Sequence, residues 1–596
     1  MNDPTPDALP LPCRGLSLSP AGLPLLQRLH QAGLVQDIAS PEEAGGTYLT
    51  RQWGNSRSFV AVGACGAITR LIAPLLQGKR QDPAVVVVDP AGRFAIPLLG
   101  GHGAGAERLS QQVAALLGGQ AVLTGASSGS GRLALDCFGT AWGWRRGSGD
   151  WDSLMQAAAR GEQPLVQQTS GSPLWRELEA TQPLSGVPDP AAPVLVISDQ
   201  LGTGCRWHPP SLWLGVGCER GTSFTLLERA VLAALQEAGL APEAVAGLCS
   251  ADRKGDEPAL LALAAERQWP LRLFSAAELA VVPVPTPSAA VAREMGTASV
   301  AEAAALLAAG PGGCLRQAKR IERCRSDERG AATVAVAAAA EQWAPQRGRL
   351  HLIGSGPGEL ALLTPDARAA LAASTVWVGY GLYLDLLEPL RRPDQLRCDG
   401  QLTLERERCR QALELAAQGL TVALVSSGDS GIYGMAGLAL ELWLALPAEA
   451  RPGFTVHPGI SALQLAAARA GAPLMHDFCT ISLSDRLTPW ETIETRLRGA
   501  AAGDFVVALY NPRSRGRDWQ LARACALLLE QRGGDTPVAL ARQLGRQDEQ
   551  VSLHRLADLP VAEVDMLTLV LIGNSTTRIQ DGRMVTPRGY PGADLA

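Results

Sequence analysis

The chain has 596 residues, 46% of them hydrophobic, and its 53 basic residues are nearly balanced by 58 acidic ones. This length predicts three or four domains at roughly 150 residues each, and the balanced charge argues against a nucleic-acid partner, which concentrated positive charge would attract. We predict a cytoplasmic protein without a signal peptide or membrane span, because the start is polar and no apolar run reaches about 18 residues. The twelve cysteines contain no C-x-x-C pair, so we expect reduced thiols and no metal centre.

Residues 1–130 alternate apolar strands with amphipathic helices, which predicts a first α/β domain. The predicted strands are residues 59–63, 84–88 and 94–99. Because these strands are continuously apolar, we expect a parallel sheet covered by helices on both faces. A glycine-rich loop over residues 100–107 follows the third strand and carries His102, and a helix is predicted over 108–117.

The centre of the chain is less regular. Residues 131–205 show weak periodicity and several tryptophans, and we interpret them as a middle linker region. A second α/β domain is predicted over residues 211–338, where apolar strands lead into polar loops and helices. A short linker, 339–348, separates it from the last part of the chain.

A third α/β unit is predicted over residues 349–590, and it opens with a strand, a glycine turn and a helix. The turn contains Gly356, Pro357 and Gly358, and glycine lets backbone approach a ligand closely because it lacks a Cβ. Glu359 replaces the last glycine of the G-x-G-x-x-G pattern, and the next predicted strand ends without an acidic residue to bind a ribose. Nicotinamide binding is therefore disfavoured, and a dinucleotide-dependent oxidoreductase is retained as an alternative function.

Four further predicted strands of this unit run into loops typical of ligand sites, at residues 426–434, 458–462, 510–514 and 573–576. Ligands of open α/β sheets bind at the carboxyl ends of the strands, so this series of loops predicts a sizeable ligand held largely by backbone groups. One loop contains Gly428-Asp429-Ser430-Gly431, the tetrapeptide around the nucleophile of trypsin-like proteases. A catalytic triad is a spatial arrangement that a tetrapeptide does not establish, so we set a protease function aside.

Five motifs of the third unit are informative in combination: residues 354–358, 427–436, 458–462, 510–512 and 573–575. Together they resemble the tetrapyrrole methyltransferases, and within them the precorrin-3B C17-methyltransferases of cobalamin biosynthesis. The resemblance implies a two-lobed class III fold, with S-adenosylmethionine as methyl donor between the lobes and a tetrapyrrole substrate in a trough above it. The implied reaction is C17 methylation and ring contraction of precorrin-3B or cobalt-precorrin-3.

This resemblance also implies site residues, among which we predict Asp429 and Tyr510 as catalytic. The predicted cofactor-binding residues are Gly356, Pro357, Gly358, Gly428, Asp429, Ser461, Ala462, Asn511 and Pro512. Arg513 and Arg515, together with the nearby Arg517, are predicted to bind substrate, because guanidinium groups pair well with the acetate and propionate groups of the ring. The alternatives are a loop-capping role for Asp429 and a solvated helix start for the arginines. We interpret His457 as a satisfied core histidine.

The first half of the chain carries a second set of motifs, at residues 66–70, 82–89, 100–102, 215–218, 220–223 and 299–302. They resemble those of the cobalt-precorrin-5A hydrolases over roughly residues 15–338. This resemblance implies an enzyme that opens a δ-lactone on the macrocycle and releases acetaldehyde. Ala104 and Glu107 depart from the family's Gly-His-x-Gly-Gly-Ala-Asn pattern, so a non-catalytic tetrapyrrole-binding module is kept as an alternative.

Lactone opening needs a base that activates water, and we predict His102 for this role, with a structural turn histidine as the alternative. Asp252 and Lys254 are predicted to bind substrate, or else to form a solvated turn. We interpret Cys218 as a buried inert thiol rather than a nucleophile.

The chain is thus predicted to be a cytoplasmic α/β fusion, with hydrolase-like units ahead of a two-lobed methyltransferase domain. Both halves would act in corrin-ring assembly. The predicted partner is the tetrapyrrole substrate, with no nucleic acid and no membrane, and a homodimer is a further hypothesis.

Overall fold

The computed structural model describes residues 10–78, 81–124, 133–162, 164–179, 181, 193–401, 404–514 and 517–591. These residues contain six β-sheets with helices packed against them, which confirms the predicted α/β class with several units. No helix in this part of the chain is long and apolar enough to cross a membrane.

The first unit contains strands β1 (Cys13–Ser17), β2 (Asp37–Ile38), β3 (Ser58–Val62), β4 (Ala84–Val88), β5 (Phe94–Leu99) and β6 (Gln120–Ala121), and helices α1 (Leu23–Gln31), α2 (Gly45–Gln52), α3 (Cys65–Ile72) and α4 (Ala106–Leu117). The sheet order is β2-β1-β3-β4-β5-β6, and β4 and β5 are antiparallel. The expectation of a fully parallel sheet is therefore wrong here. Residues 89–93 alone connect these two strands, which is too short for the crossover that parallel strands need.

Part of segment 131–205, interpreted above as a linker, forms a small sheet instead. The described elements are α5 (Phe138–Ala141), β7 (Arg145–Arg146), α6 (Trp151–Ala159), β8 (Leu165–Gln168), β9 (Val194–Ile197) and β10 (Cys205–His208), with strand order β7-β10-β9-β8. Five buried tryptophans contribute to the core, namely Trp142, Trp144, Trp151, Trp175 and Trp207. Large aromatic side chains bury enough apolar area to build a core without strict sequence periodicity.

The second α/β unit contains strands β11 (Leu212–Cys218), β12 (Val245–Ala251), β13 (Leu271–Phe274), β14 (Cys314–Arg323) and β15 (Ala331–Ala338), and helices α7 (Phe224–Glu237), α8 (Pro258–Arg267), α9 (Ala276–Ala280), α10 (Ala289–Met295) and α11 (Val300–Ala309). The strand order is β13-β12-β11-β15-β14, with β11, β12 and β13 parallel. The loops that follow β11 and β12 therefore share one edge of the sheet.

The first lobe of the third unit contains β16 (Arg349–Gly354), α12 (Pro365–Ala373), β17 (Val376–Tyr380), α13 (Gly381–Leu387), β18 (Leu396–Gly400), α14 (Glu405–Ala417), β19 (Thr421–Ser426), α15 (Ala436–Leu444) and β20 (Gly453–His457). All neighbouring strands pair in parallel, in the order β18-β17-β19-β16-β20. The carboxyl ends of these strands consequently lie at one edge, as the loop motifs required.

The second lobe contains α16 (Ala462–Ala470), β21 (Gly471–Ala472), β22 (Phe478–Ser482), α17 (Trp490–Ala502), β23 (Val506–Tyr510), α18 (Gln520–Leu529), β24 (Pro537–Arg542), β25 (Gln550–Arg555), β26 (Thr568–Ile572), β27 (Arg578–Gln580) and β28 (Arg583–Val585). Its main sheet has the order β22-β23-β26-β24-β25. Strands β22 and β23 are parallel, whereas β26 is antiparallel to β23.

This antiparallel pairing corrects one sequence prediction. Because β26 runs opposite to β23, the loop 573–576 lies at the edge of the sheet away from residues 510–514. Ser575 instead donates from its backbone N to Asp504 at 2.9 Å, and Asp504 precedes β23. The loop 573–576 therefore does not join the other glycine loops.

The small tryptophan-rich sheet shares its hydrophobic core with the first lobe of the third unit. Gln342 links the two, because its Nε2 donates to the carbonyls of Trp142 at 2.8 Å and Gln418 at 2.9 Å. Arg347 donates from Nη1 to the carbonyl of Gly143 at 2.8 Å, and burial lowers the pKa of this guanidinium to about 9. Gln418 precedes β19, so these contacts lie at the amino ends of the strands and leave the loop edge uncovered.

Candidate functional site

Three loops, after β16, β19 and β20, form the centre of the candidate site. Gly356 and Gly428 exchange two backbone hydrogen bonds of 3.0 and 2.8 Å, which join the first two loops. Asp429 joins the third, because its Oδ2 accepts from the backbone N of Gly459 at 3.0 Å. Its Oδ1 accepts from the backbone N of Gly431 at 2.8 Å. Both carboxylate oxygens of Asp429 therefore hold backbone, as in the loop-capping alternative.

Two positions in these loops require glycine: Gly459 because the loops pack closely there, and Gly428 because of its backbone conformation. A Cβ on Gly459 would overlap the carbonyl oxygen of Gly428 and lie 2.6 Å from that of Gly354. Gly428 has a φ of 66°, in the left-handed region that favours glycine. A Cβ there would point towards Ser461 and Ala462, at 3.7 and 3.8 Å from their backbone atoms. The predicted residues Gly428, Ser461 and Ala462 thus line one small space.

Helix α16 begins at this space, and a capping box fixes its start. Ser461 Oγ accepts from the backbone N of Gln464 at 3.3 Å, and Gln464 Oε1 accepts from the backbone N of Ser461 at 2.8 Å. The backbone N of Leu463 donates to the phenol oxygen of Tyr510 at 3.1 Å. This bond ties the start of α16 to the end of β23 within the second lobe.

Tyr510 and Tyr433 form an aromatic pair between the lobes, with ring centroids 5.0 Å apart. Burial is the main cause that raises the pKa of Tyr510, which keeps the phenol protonated near neutral pH. Tyr433 donates from its hydroxyl to the carbonyl of Thr480 at 3.0 Å and has a φ of 54°, which is uncommon for a side chain of this size. The sequence prediction missed Tyr433, although its place in the motif 427–436 was a usable signal.

One other predicted loop, 510–514, also reaches this site. Asn511 has a φ of 51° and donates from Nδ2 to Ser482 Oγ at 3.0 Å, which joins the loops after β22 and β23. The buried Pro512 follows it. Gly358 packs against Gly545, whose carbonyl oxygen would lie 2.7 Å from a Cβ on Gly358. Gly545 is a further residue at the cleft that the sequence did not indicate.

The predicted substrate arginines have different outcomes. Arg513 donates from Nη1 to the carbonyl of Ala562 at 2.6 Å and to that of Val561 at 3.4 Å. This engagement by backbone carbonyls favours a structural role for Arg513. Arg515 lies outside the described residues.

Behind the glycine loops, three polar side chains form a chain of hydrogen bonds. His351 Nδ1 lies 2.9 Å from His457 Nε2, and His457 Nδ1 lies 2.6 Å from Asp366 Oδ2. His457 is buried and both of its ring nitrogens are engaged, in agreement with its interpretation as a core histidine. Burial, assisted by His457 and Arg349, lowers the pKa of His351 to about 4.

This shift predicts a loss of stability in mild acid. A histidine whose pKa is about 4 when folded and about 6.5 when unfolded stabilises the fold above pH 6.5, and that contribution is lost as the pH falls from 6.5 to 4. The expected loss is about 3 kcal/mol in the free energy of unfolding. Urea midpoints measured between pH 7.5 and 4.5 should fall less steeply for His351→Gln than for the wild type. His554→Gln, on the outer strand β25, is the matched control, and equal slopes in all three proteins would contradict the prediction.

In the first unit, the turn Gly101–Gly105 carries His102 and leads directly into α4. Glu107, one of the two departures from the family pattern, is buried in the first turn of α4. A Cβ on Gly101 would lie 3.7 Å from Oε1 of Glu107, so this carboxylate lies close to the glycine turn.

At the shared loop edge of the second unit, Lys254 and Asp252 are placed differently. Lys254 is largely buried, with Nζ 4.0 Å from Oε2 of the buried Glu257. Asp252 is exposed, and its Oδ1 accepts from the adjacent backbone N of Arg253 at 2.7 Å. Burial raises the pKa of Cys218 to about 11, which keeps it a thiol and supports its interpretation as unreactive.

Comparisons with known proteins match three parts of the chain. Residues 349–560 match the family described as Tetrapyrrole (Corrin/Porphyrin) Methylases. Residues 47–128 match Cobalamin synthesis G N-terminal, and residues 212–337 match Cobalamin synthesis G C-terminus.

Two relatives and one solved structure are similar to the last part of the chain. A probable cobalt-factor III C(17)-methyltransferase of Salmonella typhimurium is 49% identical over 243 residues, which cover 40% of this chain and 99% of that protein. A precorrin-3B C(17)-methyltransferase of a Sinorhizobium species is 44% identical over 252 residues, covering 41% of this chain and 98% of that protein. The crystal structure of the methyltransferase CobJ is 41% identical, with a TM-score of 0.39, and covers 40% of this chain and 100% of that one.

Proposed function

Because the chain belongs to the tetrapyrrole methylase family, we propose that its third unit transfers a methyl group from S-adenosylmethionine to C17 of precorrin-3B or cobalt-precorrin-3. Ring contraction to the precorrin-4 level accompanies this transfer. The observation that carries the proposal is the meeting of the loops after β16, β19 and β20 at one cleft, in a unit whose relatives bear C17-methyltransferase names.

The residues of the cleft fit a nucleoside-bearing cofactor. A Cβ on Gly428 would make only van der Waals contacts with Ser461 and Ala462, so the space beside this backbone has room that suits an adenosyl or methionine moiety. Gly356, Pro357 and Gly358 would border it from β16, and Asn511 and Pro512 from β23. When bound, the cofactor supplies an activated methyl group on a sulfonium.

The side chains of the chain itself would align the reactants and exclude water, which such a displacement needs more than a strong base. We assign Asp429 a positioning role, since its two oxygens fix the loops of β19 and β20. Tyr510 stays protonated and pairs with Tyr433, so both rings would line the cleft rather than abstract a proton.

For residues 15–338 we propose opening of the δ-lactone of cobalt-precorrin-5A with release of acetaldehyde. His102 is the proposed base, and Lys254, which is held by Glu257, is a proposed substrate-binding residue together with Asp252. The matches to both cobalamin synthesis G regions support this assignment. We retain the domain division given above as a proposal, except that the small tryptophan-rich sheet replaces the linker, and a homodimer as a hypothesis.

The test uses the full-length chain. Calorimetry should show binding of S-adenosylmethionine, and mass spectrometry should show a product of the tetrapyrrole that is heavier by one methyl group. A coupled dehydrogenase assay should detect acetaldehyde once the lactone-bearing intermediate is supplied. The absence of both a heat of binding and a thermal shift with S-adenosylmethionine would overturn the methyltransferase proposal.

A further inference from the structure

The second lobe borders the cleft with the loops that follow β22 and β23. Asn511 Nδ2 donates to Ser482 Oγ at 3.0 Å, which joins these two loops. Tyr433 of the first lobe donates to the carbonyl of Thr480 in β22 at 3.0 Å. A ligand lying above the glycine loops would therefore also face the residues that follow β22 and β23.

One buried cation in this region, Arg517, has two N–H donors that no described residue accepts from. Arg517 is 8% exposed, and its backbone exchanges two hydrogen bonds of 3.0 Å with Ser514, which fixes its position. Among the described residues, nothing accepts a hydrogen bond from its Nε or Nη1. Burial is the main cause that lowers the pKa of Arg517. On the loop after β22, the nearby Asp485 opposes this shift and Arg486 adds to it. Oδ2 of Asp485 accepts instead from Nε2 of Gln520 at 3.0 Å.

An unpaired buried guanidinium is unfavourable, because its donors lose water without gaining an acceptor. Arginine does not escape this cost by losing its proton, since its intrinsic pKa is too high. An anion that accepts from one of these free donors would reduce the penalty. Helix α18 begins at Gln520, three residues after Arg517, and no side chain caps its first turn. Uncapped backbone N–H groups at the positive end of a helix also favour an anion.

Two exposed apolar side chains belong to the segments next to Arg517, namely the start of α18 and the loop after β22. Trp519, the residue before α18, is 48% exposed and packs edge-on against Trp490 at a centroid distance of 4.8 Å. Leu487, on the loop after β22, is 99% exposed. A flat ring that carries carboxylates would use both the apolar surface and the buried cation.

We propose that Arg517 and the first turn of α18 form a subsite for one side-chain carboxylate of the tetrapyrrole substrate. This inference rests on the proposed methyltransferase function and deepens it, because it names a residue that recognises the substrate. The guanidinium of Arg517 supplies the positive charge and a free N–H donor for the carboxylate, and it cannot lose its proton as a lysine ammonium can. The apolar side chains of Trp519 and Leu487 lie beside the ring.

The test compares four full-length proteins: the wild type, Arg517→Gln, Arg517→Lys and Arg523→Gln. Arg523 is the matched control, because it lies on α18 but pairs with Glu494 at 2.8 Å. Uroporphyrin, an eight-carboxylate macrocycle, is the probe, and its binding is followed by quenching of tryptophan fluorescence. Binding of S-adenosylmethionine is measured by calorimetry on the same samples, together with the KM and kcat of methyl transfer and the thermal midpoint.

We expect Arg517→Gln to weaken uroporphyrin binding about ten- to a hundredfold and to raise the tetrapyrrole KM similarly. Affinity for S-adenosylmethionine and the thermal midpoint should stay at wild-type values, Arg517→Lys should be intermediate, and Arg523→Gln should match the wild type. Equal uroporphyrin affinity in Arg517→Gln and the wild type overturns the inference, as does a wild type that binds no uroporphyrin. A lowered thermal midpoint with unchanged KM also overturns it, because Arg517 is then structural. Failure of the wild type to bind S-adenosylmethionine is a separate result that overturns the proposed function.

Discussion

Replacing Gly459 with alanine is expected to weaken S-adenosylmethionine binding on the order of a hundredfold, because a displacement of about 1 Å at a binding site has effects of this size. The new Cβ would overlap the carbonyl oxygen of Gly428 and press on that of Gly354, so the loops after β16, β19 and β20 would have to separate. Calorimetry with S-adenosylmethionine measures the effect, and the free energy of unfolding should fall by about 1–3 kcal/mol.

Gly437→Ala is the matched control for this substitution. Gly437 lies in α15, and a Cβ there would contact nothing within 4 Å. This variant should bind the cofactor as the wild type does and gain about 0.5–1 kcal/mol in stability from better helix propensity. If Gly459→Ala bound S-adenosylmethionine as tightly as Gly437→Ala, the three loops would not form the cofactor site.

The second large effect is expected for His102→Ala, which should reduce acetaldehyde release by about two to four orders of magnitude, the typical contribution of a general base. Methylation should continue, because His102 lies in the first unit and the glycine loops lie in the third. The ring-contracted intermediate should therefore accumulate, and mass spectrometry of the products would detect it.

His30→Ala is the matched control, since His30 is an exposed residue of α1 in the same unit. Acetaldehyde release at the wild-type rate by His102→Ala would assign this histidine a structural role. Absence of acetaldehyde from the wild type itself would favour the non-catalytic tetrapyrrole-binding alternative for residues 15–338.

The sequence predicted the centre of the candidate site because its signals are local. A strand followed by Gly356-Pro357-Gly358, and a serine cap such as Ser461 at a helix start, are each encoded within a few residues. The meeting of these loops followed from the parallel strand order, which continuous apolar strands indicate.

One failed prediction and two features that the sequence did not reveal depend on long-range geometry. Loop 573–576 carries a local pattern like the others, but its position is decided by the antiparallel pairing of β26 with β23. The hydrogen bonds from His351 to His457 and from His457 to Asp366 join residues far apart in sequence, and no sequence motif indicates them. Arg517 was one of three arginines in the stretch 513–517, but the burial of its Nε and Nη1 without an acceptor among the described residues appears only in the folded structure.

The shared core of the tryptophan-rich sheet and the first methyltransferase lobe has a genetic consequence. A destabilising substitution of a buried residue such as Trp142 would weaken the packing of both the tryptophan-rich sheet and the first lobe. The unfolded chain would then be degraded, and the hydrolase and methyltransferase activities would be lost together. A cell carrying such an allele would need both activities supplied from elsewhere, whereas an allele altered only at Gly459 would need the methyltransferase alone. Complementation with separate genes for the two activities would thus sort structural alleles from site alleles.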